Sequence, residues 1–200
     1  MTSLVDLSTP LVSDLPALVV PGRSCGTCSL CCKVFAVSDF NKPRSVWCQH
    51  CAPDGGCAIH ATRPSLCREF FCNWLLLENL GPEWKPERCH LVLQSIVYPG
   101  DHQCLAIHVD PDFPDSWRSP PFHQQIKQWS LKASERTTGP LYFVRLVIDL
   151  RNLIVLPDRE IDLGNLAENE SVHVERSVTA QGVKFVARKI PRRELALARV

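Results

Sequence analysis

The sequence lacks both an excess of charge of one sign and a long apolar run. Its 22 lysines and arginines stand against 21 aspartates and glutamates, so the net charge is only +1. That balance provides no broad positive field for nucleic acid or an anionic membrane. No stretch approaches about 18 consecutive apolar residues, and residues 1–23 carry no basic segment before their apolar residues, which argues against a spanning helix and a secretory signal. We therefore expect a cytoplasmic protein that binds neither nucleic acid nor a membrane.

Several familiar catalytic motifs are also missing. The chain has no Gly-x-Gly-x-x-Gly, no phosphate-binding Gly-Lys-Ser/Thr, no Gly-x-Ser-x-Gly and no Cys-x-x-x-Cys-x-x-Cys of the radical enzymes. Each of these motifs places a cofactor or a nucleophile by a known mechanism. Without them the sequence assigns no reaction, and whether the protein is an enzyme stays open. Any catalysis would have to reside in a metal site.

Cysteine, in contrast, is abundant and unevenly distributed. Nine of the 11 cysteines lie between Cys25 and Cys72, and only Cys89 and Cys104 lie outside that window. Cysteines that serve only as small core residues do not crowd in this way, so only Cys89 and Cys104 are expected to be core thiols. In a reducing compartment dense cysteines bind metal or carry out redox chemistry more often than they form disulfides. The odd total also does not suit a complete disulfide framework.

The first cysteine run is Cys25-x-x-Cys28-x-x-Cys31-Cys32. Two residues between thiols is a spacing that lets consecutive sulfurs point at one soft metal. On a helix Cys25, Cys28 and Cys32 would share a face, whereas in a ferredoxin-like loop Cys31 would converge with Cys25 and Cys28. We favour the helical turn, in which Cys31 faces a second site or the core. Two separate centres, or one multinuclear centre, would use both adjacent thiols.

The run supplies three ligands of one ion and needs a fourth from elsewhere. Cys48-x-x-Cys51 and Cys57-x-x-His60 have suitable spacing, although His50 and His60 individually are expected beside the ligands or at the surface. The candidate metal ligands are Cys25, Cys28, Cys31, Cys32, Cys48, Cys51, Cys57, Cys67 and Cys72.

These residues carry a resemblance to a known family. Two segments together resemble the YkgJ-type cysteine-cluster family, which is described as a zinc- or iron-chelating domain. They are the first run and the later segment Cys57-Ala-Ile-His60-Ala-Thr-Arg-Pro-Ser-Leu-Cys67-Arg-Glu-Phe-Phe-Cys72. The same segments are also similar to the cysteine-rich part of flagellin lysine N-methylases, which implies an iron–sulfur cluster. The family normally has tyrosine at the position of His60, so this residue is either an added ligand or a neutral replacement. The resemblance covers about a quarter of the chain and implies metal chelation without a defined reaction.

Other charged residues have simpler interpretations. Arg63 and Arg68 could neutralise an anionic thiolate site or form surface ion pairs with Glu69 or Glu78, and we favour the first because thiolate-rich sites are negatively charged. His108-x-Asp110 is a weak metal-binding pattern that is usually an ordinary loop.

The pattern of the whole chain predicts an α+β fold. We expect an irregular segment over residues 1–22, a cysteine-rich metal-binding module over 23–85, and a small antiparallel sheet with one or two helices over 86–200, all in the same compact unit. Helical spacing of apolar residues predicts a helix of about 15 residues from near Pro64 and another over 122–136. Short apolar runs predict strands at His90–Tyr98, Gln103–Val109, Leu141–Ile148, Asn152–Leu156, Val172–Val178 and Val183–Ile190.

The leading functional hypothesis is a metal-binding protein whose clustered thiolates chelate Zn²⁺ or an iron–sulfur cluster. Its only assigned partner is the metal, and a protein partner is unspecified. One alternative is an iron-dependent modification enzyme acting at the same site. Another is a zinc-stabilised protein-interaction adaptor that uses the C-terminal sheet.

Overall fold

The computed structural model of the chain describes residues 18–98, 102–180 and 182–197. The expected irregular segment over 1–22 therefore lies mostly outside the described residues. Pro99-Gly100-Asp101, a sequence typical of a turn, also lies outside them. The helices are α1 Leu30–Val34, α2 Ser65–Glu69, α3 Asn73–Leu76, α4 Pro86–Cys89, α5 Phe122–Glu135 and α6 Arg192–Leu197. The strands are β1 Leu91–Val97, β2 Gln103–Val109, β3 Tyr142–Ile148, β4 Arg151–Val155, β5 Glu160–Asn165, β6 Glu170–Thr179 and β7 Gly182–Pro191.

The chain divides into two compact units. The first contains the described residues up to Gln94 together with His108–Trp117, and the second contains Ser95–Ile107 and the chain from Arg118 onward. All nine clustered cysteines belong to the first unit. The second unit contains helix α5 and strands β3 to β7.

Five strands form one sheet in the order β1-β2-β3-β4-β5. Strands β3, β4 and β5 are antiparallel neighbours, with Leu146 opposite Leu153 and Ile154 opposite Ile161. Strands β2 and β3 begin side by side, because the Gln103 N–H donates to the Leu141 carbonyl at 2.8 Å. The two strands therefore run parallel, and α5 connects them in the chain. Because the other described pairs are antiparallel, the sheet is mixed. The α+β class is thus confirmed, but the expectation of an antiparallel sheet is wrong at this pair because a helical crossover returns the chain in parallel.

Helix α5 confirms the amphipathic pattern over 122–136 and packs on the sheet. Its Ile126 is fully buried, and Ser130 Oγ donates to the Val155 carbonyl at 2.6 Å. Strands β6 and β7 form a separate antiparallel pair whose register places Val174 opposite Ala187. One face of this pair is buried, because its alternating apolar residues contribute to a core with Cys104, Ala106 and Ile154.

The long helix expected from Pro64 onward is wrong. Two short helices, α2 and α3, take its place, and the residues Phe70 and Cys72 between them have extended backbone. The break lets Phe70 pack on Phe35, with ring centroids 4.7 Å apart, and buries Cys72 to 9% exposure. Burial of these side chains outweighs the weak local preference for one continuous helix.

No helix within the described residues has the length and apolar character that a membrane crossing requires.

Candidate metal centre

The first cysteines lie in a tight turn rather than on a helix. Gly26 has a φ of +54°, a backbone conformation that favours glycine, and the Cys28 N–H donates to the Cys25 carbonyl at 2.8 Å. Helix α1 begins only at Leu30, so it carries Cys31 and Cys32 but neither Cys25 nor Cys28. The expected helical turn, with Cys25, Cys28 and Cys32 on one face, is therefore wrong because Gly26 closes the chain before the helix starts.

A second loop presents Cys48, Cys51 and Cys57. The Cys51 N–H donates to the Cys48 carbonyl at 3.0 Å, and Cys51 and Cys57 pair as an isolated antiparallel bridge. Between them the sequence Asp54-Gly55-Gly56 is typical of a tight turn, and the turn is present, since the Gly55 N–H donates to the Ala52 carbonyl at 3.0 Å. The bridge and the turn hold Cys51 and Cys57 next to each other.

The glycine pair docks this loop on the first turn. Gly55 and Gly56 have φ values of +88° and +80°, and the Gly56 N–H donates to the Thr27 carbonyl at 2.8 Å. A Cβ on Gly55 would lie 2.5 Å from the Thr27 oxygen, and one on Gly56 would lie 2.8 Å from the Gly26 oxygen. The approach therefore requires glycine at both positions for conformation and for space. It brings together two cysteine segments that are about 25 residues apart in sequence.

The last two predicted ligands are placed by the broken helix. Cys67 lies in α2, and Cys72 directly precedes α3. Cys72 packs in an apolar cluster with Leu30, Leu75 and Val92, and Cys25 lies against the same cluster. Because the helix is broken between α2 and α3, Cys67 and Cys72 lie on different elements, and only Cys72 belongs to the apolar cluster.

Thiol–thiol interactions define a group around Cys32. The Cys32 thiol donates to Cys31, and this bond together with burial raises the pKa of Cys32 far above its ordinary value. Cys51 donates to Cys32, and burial followed by the nearby Cys32 and Cys48 raises the pKa of Cys51 to about 11. Burial also raises the pKa of Cys67, with smaller contributions from its neighbouring thiols. We call the interacting thiols Cys32, Cys48, Cys51, Cys57 and Cys67 the second thiol group.

Cys25, Cys28 and Cys72 form the first thiol group. Burial raises the pKa of each of these thiols, and for Cys72 the value reaches about 12. Cys72 interacts with both Cys25 and Cys28. The sulfur of Cys28 accepts the backbone N–H groups of Leu30 and Glu87, and that of Cys72 accepts those of Trp74 and Leu75. These N–H donors favour the thiolate form against burial.

The thiols are gathered without forming a finished coordination shell. All eleven cysteines are among the described residues, and none of them forms a disulfide. Over the same described ranges, no three or more His, Cys, Asp or Glu side chains converge in an arrangement that could hold a metal ion. Metal binding would therefore require the thiols to lose their protons and draw closer together.

Two cations lie beside the second thiol group. Lys42 is 7% exposed, and the thiols of Cys32, Cys48 and Cys51 partly offset the lowering of its pKa by burial. Burial raises the pKa of Cys67 and of Cys25, and the charge of Arg63 offsets part of that rise in both thiols. The favoured interpretation of Arg63 as a cation near the thiols is consistent with this placement. Arg68 instead donates to the Ser65 hydroxyl at 3.2 Å.

The remaining predicted residues lie apart from the thiol groups or have other contacts. His60 contacts the Arg63 guanidinium, and the ring of His50 packs edge-on against Phe40 with centroids 4.6 Å apart. Cys89 and Cys104 are buried, at 1% and 0% exposure.

His108 and Asp110 do not form a paired site. His108 hydrogen bonds to Gln94 at 3.2 Å, whereas Asp110 pairs with the buried Lys33 at 2.5 Å. Lys33 and Lys42 are polar core residues that sequence reasoning missed. No sequence pattern marks either lysine as buried, because a single lysine in a sequence is typical of a surface.

No family model, curated protein sequence or solved structure matches the chain. The resemblance of residues 25–72 to the YkgJ-type family and to the flagellin methylases therefore stays a prediction.

Proposed function

We propose that this chain is a metal-binding protein whose clustered cysteines chelate zinc or an iron–sulfur cluster. The observation that carries the proposal is the placement of nine cysteines in the first unit, where the Gly56–Thr27 hydrogen bond joins two of their segments and Lys42 is buried beside Cys32, Cys48 and Cys51. Thiolates are ligands that select zinc and iron–sulfur clusters. The donor set fits either group, and the reaction, if there is one, is unassigned.

Lys42 is the strongest electrostatic support for an anionic centre. Its ammonium donates to the carbonyls of Lys33 at 3.1 Å, of Pro43 at 2.8 Å and of Phe35. Over the described residues it has no carboxylate partner. A buried charge without a counter-ion is costly, and the groups beside Lys42 that can become anions are thiols. A metal held by four thiolates carries net negative charge and would supply the missing counter-ion.

Arg63 supports the same conclusion. Its Nε is buried and makes no hydrogen bond within the described part of the chain. Unsatisfied buried donors are uncommon and usually have a reason. A thiolate sulfur bound to metal would accept a hydrogen bond more strongly than a neutral thiol, because a charged partner strengthens the bond.

The test is anaerobic purification followed by an absorption spectrum, metal analysis and measurement of acid-labile sulfide. A brown protein containing iron and sulfide would identify an iron–sulfur cluster, and a colourless protein containing zinc would identify a zinc site. Cys51→Ser should lose metal, whereas Cys104→Ala, in the other unit, should retain it. A protein that holds no metal as purified and takes up neither zinc nor iron with sulfide would overturn the proposal.

Metal binding should also stabilise the first unit. Because thiolate–metal bonds contribute directly to folding, chelation should increase protease cleavage over residues 25–80 and leave the strands β3 to β7 protected. Unchanged protection of residues 25–80 after complete metal removal would contradict a folding role for the metal.

A further inference from the structure

Cys51 and Cys57 lie directly opposite each other across an isolated antiparallel bridge. Two backbone hydrogen bonds flank the pair, and each runs from the residue after one cysteine to the residue before the other. They join the Ala52 N–H to the Gly56 carbonyl at 3.1 Å and the Ala58 N–H to the His50 carbonyl at 2.9 Å. Because the flanking residues make these bonds, the two cysteines occupy a non-hydrogen-bonded position, where both side chains point to the same face.

The spacing at this position suits a disulfide bond. Residues opposed at a non-hydrogen-bonded position have Cα atoms about 4.5 Å apart, and their side chains lie closer than at the hydrogen-bonded positions. A disulfide joins residues whose Cα atoms are about 4.4–6.8 Å apart. The backbone therefore already holds Cys51 and Cys57 at a separation that a disulfide can bridge. Both cysteines are free thiols and are partly exposed, so a small reagent can reach them.

Neighbouring cysteines are placed less well for such a bond. Cys31 and Cys32 are adjacent in the chain, and adjacent Cα atoms are about 3.8 Å apart, which is shorter than a disulfide requires. The turn from Cys48 to Cys51 requires only that its Cα atoms lie within about 7 Å, and it does not oppose the two side chains across a bridge. Within the described residues, the Cys51–Cys57 pair is the one isolated bridge that joins two cysteines.

A bond between these residues would keep the loop but change its chemistry. The Gly55 turn and the 2.8 Å hydrogen bond from the Gly56 N–H to the Thr27 carbonyl lie between the two cysteines, which are already paired, so the bond needs no rearrangement of the loop. The metal-binding form of cysteine is the thiolate, and a sulfur in a disulfide is no longer one. Oxidation would therefore remove two of the nine candidate ligands.

We propose that Cys51 and Cys57 form a reversible disulfide by exchange with a low-molecular-weight disulfide of the glutathione type, and that this bond and a metal held by either thiolate exclude each other. The exclusion rests on the proposed metal-binding function, whereas the disulfide rests on the bridge alone. The protein then releases metal under oxidising conditions and binds it again after reduction. Transient disulfides of this kind are the usual ones in a reducing compartment, where they sense the redox state.

The exchange takes place in two steps. One protein thiolate attacks a sulfur of the small disulfide, whose S–S bond breaks to release one small thiolate and leave a mixed disulfide. The second protein thiolate attacks the protein sulfur of the mixed disulfide, and the second small thiolate leaves. Two protein thiols are thus oxidised, one small disulfide is reduced to two small thiols, and the protons of the protein thiols pass to the released thiolates. Where a metal ion holds the protein thiolates, the ion is released in place of the protons.

The test adds increasing amounts of oxidised glutathione to the chain as purified, in the absence of oxygen. Free thiols are then blocked with N-ethylmaleimide, and the unreduced protein is cleaved before Asp54 and after arginine. One fragment then contains Cys48 and Cys51, and the other contains Cys57 and Cys67. Mass spectrometry should show the two fragments joined through Cys51 and Cys57, with Cys48 and Cys67 alkylated. Metal content after desalting should fall in proportion to the yield of this disulfide, and it should recover after reduction and addition of zinc, or of iron with sulfide.

Cys48→Ser is the matched control for Cys57→Ser, because both residues lie in the same loop and both are candidate ligands. Cys48→Ser should still join the two fragments through Cys51 and Cys57. Cys57→Ser should leave Cys51 as a free thiol or as a mixed disulfide with glutathione. Since the disulfide is mapped first in the unaltered chain, the result does not depend on the folding of either variant.

The outcomes separate this inference from the proposed function. A first disulfide between any other two cysteines, or mixed disulfides with glutathione alone, would overturn the pairing and leave metal binding intact. A Cys51–Cys57 disulfide that forms while all the metal stays bound would overturn the exclusion. A chain that holds no metal as purified and takes none up would overturn the proposed function and the exclusion with it, and the mapped disulfide would still decide the pairing.

Discussion

The docking of the second cysteine loop on the first turn can be tested at Gly55. Alanine at this position must keep a φ of +88°, which costs an ordinary L-residue about 1–2 kcal/mol. Its Cβ would also lie 2.5 Å from the Thr27 carbonyl oxygen, which is backbone and cannot rotate away. Overpacking of this kind costs about 1–3 kcal/mol, so Gly55→Ala should reduce the free energy of unfolding by about 2–5 kcal/mol.

Gly22 provides the matched control for this substitution. Its φ of +81° is nearly the same, but no atom lies within 4 Å of the position that a Cβ would take. Gly22→Ala should therefore cost only the conformational part, about 1–2 kcal/mol. Alanine also restricts the unfolded chain by a similar amount in both variants, so that effect cancels in the comparison. The difference of about 1–3 kcal/mol isolates the clash with Thr27.

The assay is urea denaturation of the protein as purified, at matched metal content, followed by tryptophan fluorescence for the wild type and both variants. Gly55→Ala should also increase alkylation of Cys51 and Cys57, because the loop that carries them separates from the first turn. Equal destabilisation by Gly55→Ala and Gly22→Ala would refute the reasoning, since it would show that the close approach at Thr27 does not contribute.

Three further predictions concern buried polar groups. Asp110→Asn should cost about 1.5–3 kcal/mol in urea denaturation, because it weakens a buried charged hydrogen bond while Asp112 still neutralises Lys33. Asp112→Asn, at a side chain 67% exposed, should cost less than about 1 kcal/mol, and equal losses would contradict a buried ion pair. Lys42→Gln should weaken zinc binding about tenfold to hundredfold in chelator competition and Lys42→Arg much less, and equal affinities would contradict a counter-ion role. Burial raises the pKa of Cys104 to about 12, above the value of about 8.5 in the unfolded chain, so its contribution to stability is present below pH 8.5 and is lost as the pH rises towards 12. Cys104→Ala should therefore gain about 2 kcal/mol relative to wild type between pH 7 and pH 10, and a pH-independent difference would contradict this linkage.

The secondary structure of the second unit follows closely from local sequence patterns. The apolar period of Phe122, Ile126 and Trp129 predicts helix α5, and alternation in Val172–Val178 and Val183–Ile190 predicts strands β6 and β7. Strand β5 was missed because Glu160–Asn165 alternates weakly and is only half-buried. The direction of β3 relative to β2 is not a local property, since it depends on how the chain crosses the sheet through α5.

The cysteine unit is harder to predict because its elements are short. Helices of four or five residues have little intrinsic stability, so packing and hydrogen bonds to distant segments decide their limits. The spacing of Cys25, Cys28 and Cys32 fits a helix, but Gly26 and the carbonyls that face Gly55 and Gly56 fix a turn instead. A two-residue spacing is compatible with both structures, and sequence spacing alone therefore could not decide between them.

The positions of the cations Arg63 and Lys42 in the candidate site also depend on contacts that local sequence does not reveal. Arg63 lies within the cysteine window, so its position in the sequence suggested proximity to thiols. Lys42 lies in the same window but has no nearby motif, and its burial results from three carbonyls supplied by α1 and the segment after it. Because backbone carbonyls satisfy its hydrogen bonds without neutralising its charge, Lys42 still needs an anion. The thiols of Cys32, Cys48 and Cys51 can supply that anion only when they ionise, which links the burial of this lysine to the binding of a metal.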